Sequence, residues 1–79
     1  MIFLIQYSRR PGRIEQFKIY NDSDRLVAEN DRLRIELDLN SRKIDHEVVL
    51  LEAASQEALR KTHRRYFENT FQISSTSTG

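Results

Sequence analysis

The chain of 79 residues contains no cysteine, no tryptophan, one proline and two glycines. Without cysteine, disulfide bonds and thiolate metal ligands are excluded. Gly12 is the only glycine inside the chain, which excludes a glycine-rich phosphate loop. No segment approaches the roughly 20 apolar residues of a membrane span, and the apolar run at the start precedes its positive charges, the reverse of a signal peptide. These absences predict a soluble, cytoplasmic protein that makes no membrane contact.

The short length also limits how the chain can be stabilised. A chain of this size forms one domain and buries only about 60% of its extended surface on folding. We expect residues 1–67 to form that domain and the Ser/Thr-rich residues 68–79 to form a flexible tail. With no covalent cross-links, side-chain packing has to supply the stability, and oligomerisation is the remaining way to add to it.

Charge is unevenly distributed along the chain, although the net charge is only +1. Residues 1–20 contain four basic and one acidic residue, a net charge of +3. Residues 21–59 contain five basic and ten acidic residues, a net charge of −5, and residues 60–79 again contain four basic and one acidic residue, a net charge of +3. The two ends are therefore basic and the middle is acidic.

The first twenty residues have the pattern of a β-hairpin. Residues 2–8 (IFLIQYS) are rich in β-branched and aromatic residues, which is typical of a strand. The pair Pro11 and Gly12 is a turn signal. Residues 14–20 (IEQFKIY) then alternate apolar and polar side chains, which predicts a second strand paired with the first.

The next segment is ambiguous between helix and strand. The cluster NDSD favours a helix start, and residues 22–41 are rich in Leu, Arg, Glu and Ala. Residues 33–39 (LRIELDL) alternate with a period of two and could form a strand, but the longer window favours helix. That helix would have two apolar stripes on opposite sides, where one is usual. The stripes are Leu26, Leu33 and Leu37, and Ala28, Ile35 and Leu39.

The last third of the domain predicts a strand followed by a helix. Residues 46–53 (HEVVLLEA) contain a continuous apolar run, as in a strand covered on both faces. Ser55 has the character of a helix N-cap, and the helix is predicted to continue to about Phe67. The alternation of Phe71 and Ile73 allows a short added strand in the tail.

These elements predict an α+β fold with the order β-β-α-β-α, ferredoxin-like in character. The helix after the second strand makes strands two and three parallel to each other. The first strand suits the centre, which gives the sheet order 2-1-3, with both helices expected on one face. The other face would be apolar and uncovered, and a homodimer is the commonest solution for such a face. The segment from Phe71 to Ile73 in the tail is the other candidate to cover it. The residues predicted for self-association are Ile2, Leu4, Ala28, Ile35, Leu39, Val48 and Leu50.

Three stretches of the chain carry a resemblance. FLIQYSRRPGRIEQF, RLVAENDRLRIELDL and EVVLLEAASQEALRKTHRRYF resemble a group of small uncharacterised bacterial proteins. These proteins open with a strand and a basic hairpin and end on a Thr-His-x-Arg-Tyr-Phe-like sequence. The resemblance covers residues 2–67. It implies the same order of elements and a helix for the ambiguous segment, and it implies no activity.

The predicted topology gathers basic residues at one pole of the domain. The hairpin turn, the loop at residues 40–43 and the end of the last helix would all lie there. Such a surface could bind nucleic acid or another anionic ligand, although cations at a helix C-terminus also complement its dipole. No nucleic-acid-binding motif accompanies the charge. The residues of this predicted basic pole are Arg9, Arg10, Arg13, Arg42, Lys43, Arg64 and Arg65.

Catalytic and metal-binding constellations are missing from the sequence. His46 and His63 lie on different elements and lack the close ligand spacing of a metal site. We expect His63 and Tyr66 to face the sheet while Arg60, Lys61 and Arg64 face water. Ser55 is better explained as a cap than as a nucleophile. The sequence therefore predicts neither an enzyme nor a cofactor.

Two functional hypotheses remain from the sequence. The first is a small binding or regulatory module that forms a homodimer, and that could also bind another protein, through the uncovered sheet face or the first helix. The alternative is a module that binds nucleic acid or an anionic ligand through the basic pole.

Overall fold

The described part of the chain, residues 1–67, is an α+β fold with the predicted order β-β-α-β-α in a computed structural model. The tail, with the short strand that the alternation of Phe71 and Ile73 allows, lies outside the described residues. The strands and helices are β1 (Ile2–Ser8), β2 (Arg13–Tyr20), α1 (Arg25–Ser41), β3 (His46–Glu52) and α2 (Gln56–Thr62). The helical alternative for residues 33–39 is confirmed.

β1 is the central strand of a three-stranded sheet whose order is β2-β1-β3. It pairs antiparallel with β2 and with β3, so β2 and β3 run parallel to each other, as predicted. The hairpin between β1 and β2 closes at Gly12, whose φ of 87° favours glycine and whose N–H donates to the Ser8 carbonyl at 2.8 Å. The predicted sheet order is confirmed.

The odd-numbered side chains of β1 face a core formed with α2 and the residues after it. Phe3, Ile5 and Tyr7 pack in one cluster with Leu59, Tyr66 and Phe67. The Tyr7 and Tyr66 rings meet edge to face, with centroids 5.3 Å apart. This geometry suits the quadrupoles of two aromatic rings. The second helix therefore covers one face of the sheet.

The even-numbered side chains of β1 are covered by α1, on the opposite face. Ile2 and Leu4 are completely buried although they lie outside the first core cluster. Helix α1 contacts β1 and β3, and its Ala28 is completely buried. The prediction that both helices cover one face is therefore wrong. Both faces of β1 are apolar, so each needs its own cover of helix to keep those side chains from water.

The residues predicted for self-association consequently lie where the sheet and α1 pack together. Their members on β1 are buried, those on β3 are half-buried, and they lie on the face of the sheet that α1 covers. The expectation that they form an uncovered surface is wrong because it assumed that the face was open. The residues concerned are Ile2, Leu4, Ala28, Ile35, Leu39, Val48 and Leu50.

The two apolar stripes of α1 have opposite roles. Leu39 is 6% exposed and faces the sheet with Ala28, where the small alanine side chain lets the helix approach closely. The opposite stripe faces outward: Leu26, Leu33 and Leu37 are 70%, 55% and 60% exposed.

Helix α1 ends in a Schellman motif, a pair of backbone hydrogen bonds that closes a helix C-terminus. The Ile44 N–H donates to the Leu39 carbonyl at 2.9 Å, and the Lys43 N–H donates to the Asn40 carbonyl at 3.2 Å. Lys43 has a φ of 56°, in the left-handed region that the motif requires. These bonds satisfy carbonyls at the helix end and turn the chain toward β3.

Helix α2 is shorter than predicted. The Ser55 hydroxyl accepts a hydrogen bond from the Ala58 N–H at 3.1 Å, which confirms the predicted cap. The helix ends at Thr62 rather than near Phe67, and a 3₁₀ turn at Arg64–Tyr66 follows. No helix of residues 1–67 is both long enough and apolar enough to cross a bilayer.

Because one stripe is buried and the other is exposed, two neighbouring substitutions on α1 should lower the free energy of unfolding by different amounts. Leu39→Ala removes a buried side chain and should lower the free energy of unfolding by about 2–4 kcal/mol. The matched Leu37→Ala removes an exposed side chain and should change it by about 0.5 kcal/mol or less. Urea denaturation at low protein concentration, where association makes little contribution, measures both. Equal costs would contradict this orientation of α1.

Candidate functional site

The structure brings the hairpin turn, the loop after α1 and the turn after α2 to one end of the sheet. At this end the register pairs Ser8 of β1 with Arg13 of β2 on one side and with His46 of β3 on the other. Arg9 reaches across to Asp45, with Nη1 and Oδ1 3.7 Å apart. The basic segments named from the sequence therefore meet at this end of the domain.

Four of the seven cations of the basic pole form ion pairs with neighbouring carboxylates. Their partners lie on β2, on α1 and around the start of β3. These pairs are Arg9 with Asp45 and Glu47, Arg13 with Glu15, Arg42 with Asp38, and Arg65 with Glu47. Within residues 1–67, Arg10, Lys43 and Arg64 form no ion pair. Seven cations and four carboxylates leave three excess positive charges, so the pole is a mixed surface with a modest positive excess.

Glu47 is the centre of a hydrogen-bonded network beneath the last turn. Its Oε2 accepts from the Tyr66 hydroxyl and from Arg65 Nη2, each at 2.5 Å. Arg65 also lies over the Tyr66 ring, with the guanidinium carbon 4.5 Å from the centroid. Burial acts to raise the pKa of Glu47, but the hydrogen bonds from Tyr66 and Arg65 outweigh it and the pKa is lowered. The carboxylate therefore stays charged and holds the turn against β3.

The network explains what two of the predicted binding residues do. Arg65 lies between Glu47 and Tyr66, and Arg9 Nε lies 3.8 Å from Glu47 Oε1. Burial, with the hydrogen bond to Glu47, raises the pKa of the Tyr66 hydroxyl. Both arginines are thus engaged in fixing the fold at this end of the sheet.

The two histidines take separate positions. His46 Nδ1 lies 2.9 Å from Gln6 Nε2, on the face of the sheet that α1 covers. His63 is half-buried at the end of α2. Tyr66 is buried, as its predicted orientation toward the sheet requires. Among residues 1–67, no group of three or more His, Asp and Glu side chains has the arrangement to hold a metal ion.

The outer stripe of α1 is a second candidate surface, although the sequence favoured the opposite stripe, with Ala28, Ile35 and Leu39, for self-association. We define the outer stripe as Leu26, Leu33 and Leu37. Periodicity identified this stripe and the buried one equally well, because both are apolar. The signal that could have separated them is size: a stripe with alanine at its first position permits closer packing on a sheet than one made of three leucines.

Two contacts between α1 and the sheet fix the direction in which the outer stripe points. The Tyr20 hydroxyl on β2 donates to Asp31 Oδ2 at 2.7 Å, and Arg25 pairs with Glu52 of β3. Burial, with the hydrogen bond to Asp31, raises the pKa of Tyr20 to about 12. The hydrogen bond from Tyr20 lowers the pKa of Asp31. The helix is therefore clamped to both edge strands, and its leucines are held outward.

No protein-family model matches the chain, and no curated protein or solved structure is significantly similar to it. The resemblance seen in the sequence consequently assigns no family, and the geometry of the two surfaces is the remaining basis for a function.

The Glu47 network predicts a pH dependence of stability. Because the folded pKa lies below its ordinary value of 4.5, the unfolded chain takes up this proton at a higher pH than the folded chain. Stability from Glu47 is therefore fully present above about pH 4.5 and is lost as the pH falls through the folded pKa. Urea midpoints measured from pH 7 to pH 3 should fall less steeply for Glu47→Gln than for the unsubstituted protein.

The control for this measurement is Glu57→Gln, which removes a carboxylate that is 81% exposed and whose one ion pair within residues 1–67 is with Lys61. Its curve should parallel that of the unsubstituted protein. A residual acid slope is expected in both variants because Glu15 and Asp31 also have lowered pKa values. Parallel curves for Glu47→Gln and the unsubstituted protein would contradict the assignment.

Proposed function

We propose that the protein is a small binding module that acts by pairing with a second copy through the outer stripe of α1. The observation that supports this proposal is the exposure of three leucines on one side of a single helix. Leu26, Leu33 and Leu37 are each more than half exposed, and they lie within three turns of α1. Single apolar side chains scattered over a surface need no explanation, but three leucines on one side of one helix form a patch of the size that is often functional.

The size of the stripe indicates a weak, reversible dimer. Three leucines with these exposures, at roughly 100 Å² each, give an apolar patch on the order of 300 Å² on each copy. Two such patches with their polar flanks approach the roughly 1,000 Å² total that a specific interface needs. We therefore expect a dissociation constant in the micromolar range, so that assembly depends on the concentration of the chain.

The rigidity of α1 supports association with little loss of conformational entropy. The helix is clamped by Tyr20 and Arg25 and closed by its C-terminal motif, so the stripe is already in place before binding. Preorganisation lowers the entropic cost of association. A helix facing outward from a sheet also keeps the rest of the domain away from the partner.

Substitution of the central leucine tests the proposal. Leu33→Gln removes about 1 kcal/mol of apolar burial from each copy, or about 2 kcal/mol from the dimer, and should weaken association about 30-fold. The folded monomer should be unaffected because glutamine is a good helix former and the site is exposed. Sedimentation equilibrium over a range of concentrations measures the change.

The matched control is Ile19→Thr, which removes an apolar side chain that is 47% exposed on β2. It should leave the dissociation constant unchanged. An unsubstituted chain that stays monomeric at hundreds of micromolar would contradict the proposal.

Anion binding through the basic pole is the second candidate, supported by the three cations that form no ion pair among residues 1–67. Arg10 also borders an open groove with Ile44 and Asp45. If this surface binds nucleic acid, Arg10→Gln should reduce the slope of log affinity against log salt concentration by about 1. The matched Arg25→Gln, at the opposite end of the domain, should leave it unchanged. Titration of a fluorescent single-stranded oligonucleotide measures both, and equal slopes would contradict the proposal.

Neither proposed function requires a catalytic reaction or a cofactor, and both are compatible with the cytoplasmic location expected from the sequence. The dimer is preferred because the outer stripe has no partner among residues 1–67, whereas four of the seven cations of the basic pole do.

A further inference from the structure

The outer stripe has the spacing of a short coiled-coil seam. Five residues along this side of α1 follow one another at intervals of four, three, four and three residues: Leu26, Asn30, Leu33, Leu37 and Asn40. This is the alternation of d and a positions in a heptad repeat. Asn30 then occupies an a position between two leucine layers, and it lies on the exposed side of α1.

From this spacing we infer that the second copy docks parallel and in register, so that each residue of the seam meets its own counterpart. The inference rests on the proposed function and specifies its geometry. A single asparagine at an a position fixes register and oligomeric state, because its amide needs a polar partner in an apolar seam. In the parallel arrangement, Asn30 of one copy meets Asn30 of the other and the two amides can hydrogen-bond.

The charges beside the seam favour the same orientation. Glu29 and Arg34 lie at g and e positions, five residues apart, the spacing at which a parallel pair brings oppositely charged side chains of two copies together. Both side chains lie on the exposed part of α1, and Arg34 is 71% exposed. A parallel dimer therefore gains two attractive pairs, between Glu29 of each copy and Arg34 of the other.

An antiparallel dimer would be less favourable on both counts. The antiparallel alignment that covers all three leucines sets Asn30 against Leu33 of the second copy, which buries an amide without a partner. It also brings Glu29 near Glu36 of the second copy, and like charges at such positions are destabilising.

The parallel arrangement is also compatible with the rest of the fold. Its two-fold axis runs along the helices, between the two outer stripes. Because each sheet packs against the opposite side of its own α1, the two sheets lie on the outside of the dimer. The two domains can therefore approach to helix-packing distance, about 8–10 Å between axes.

The absence of cysteine makes a disulfide experiment straightforward. Leu26→Cys and Leu37→Cys place single thiols near the two ends of the stripe, about 16 Å apart along the helix, and these two positions face each other in the antiparallel alignment. If the dimer is parallel, each variant alone should form a covalent dimer under mild oxidation, detected by non-reducing electrophoresis. Glu57→Cys, on α2, is the matched control and should form none above background.

The outcomes separate the orientation from the association itself. Cross-linking only in a mixture of the two variants would show an antiparallel dimer and overturn the parallel arrangement, while the proposed self-association would stand. Cross-linking in no sample, together with a monomeric unsubstituted chain in sedimentation, would overturn both.

Charge exchange supplies a second measurement that does not depend on thiols. Glu29→Arg or Arg34→Glu alone should weaken the dimer by roughly 5-fold, and the double variant should restore its affinity. Arg34 also pairs with Asp31 within one copy, at 2.8 Å. That pair is lost in the Arg34→Glu single variant and in the double variant alike. Restoration in the double variant therefore reports the contact between copies and supports the parallel pairing, whereas failure to restore would overturn it.

Discussion

β1 places four consecutive side chains, residues 2–5, out of contact with water, two on each face of the sheet. No single layer of helix can cover both faces of a strand, so this burial requires two covers. α1 and α2 supply them, one on each side, and a three-layer arrangement follows. The position of α1 in turn decides which of its two stripes is buried and which is presented to solvent.

Connectivity was predictable from the sequence because each element has a local signature. The alternation in β2, the turn at Pro11 and Gly12 and the cap at Ser55 depend on neighbouring residues, and all three are found in the structure. The sheet order followed from the doubly apolar pattern of β1. The side on which α1 packs depends on a contact between distant segments, and the two stripes of this helix are too similar in hydrophobicity to decide it.

At the basic pole, too, the order of the elements could be predicted from the sequence, whereas the contacts between side chains could not. Chain direction alone placed the basic segments at one end of the sheet, and the structure does bring them together. The ion pairs of these arginines were not predictable from the sequence. Their partners Asp45 and Glu47 belong to the acidic middle segment, residues 21–59, and not to the basic segments. In the fold these two carboxylates lie among the arginines, because β3 begins beside the hairpin turn.

The central position of β1 has a consequence for how the chain is made. β1 precedes every element that covers it, and its partner β3 lies more than thirty residues further along the chain. During synthesis one face of β1 stays exposed until α1 has left the ribosome, and the other face stays exposed until α2 has followed. The non-local pairing of β1 with β3 also makes folding slower than in a helical bundle of equal length. A nascent chain of this protein thus exposes its most apolar strand for longest.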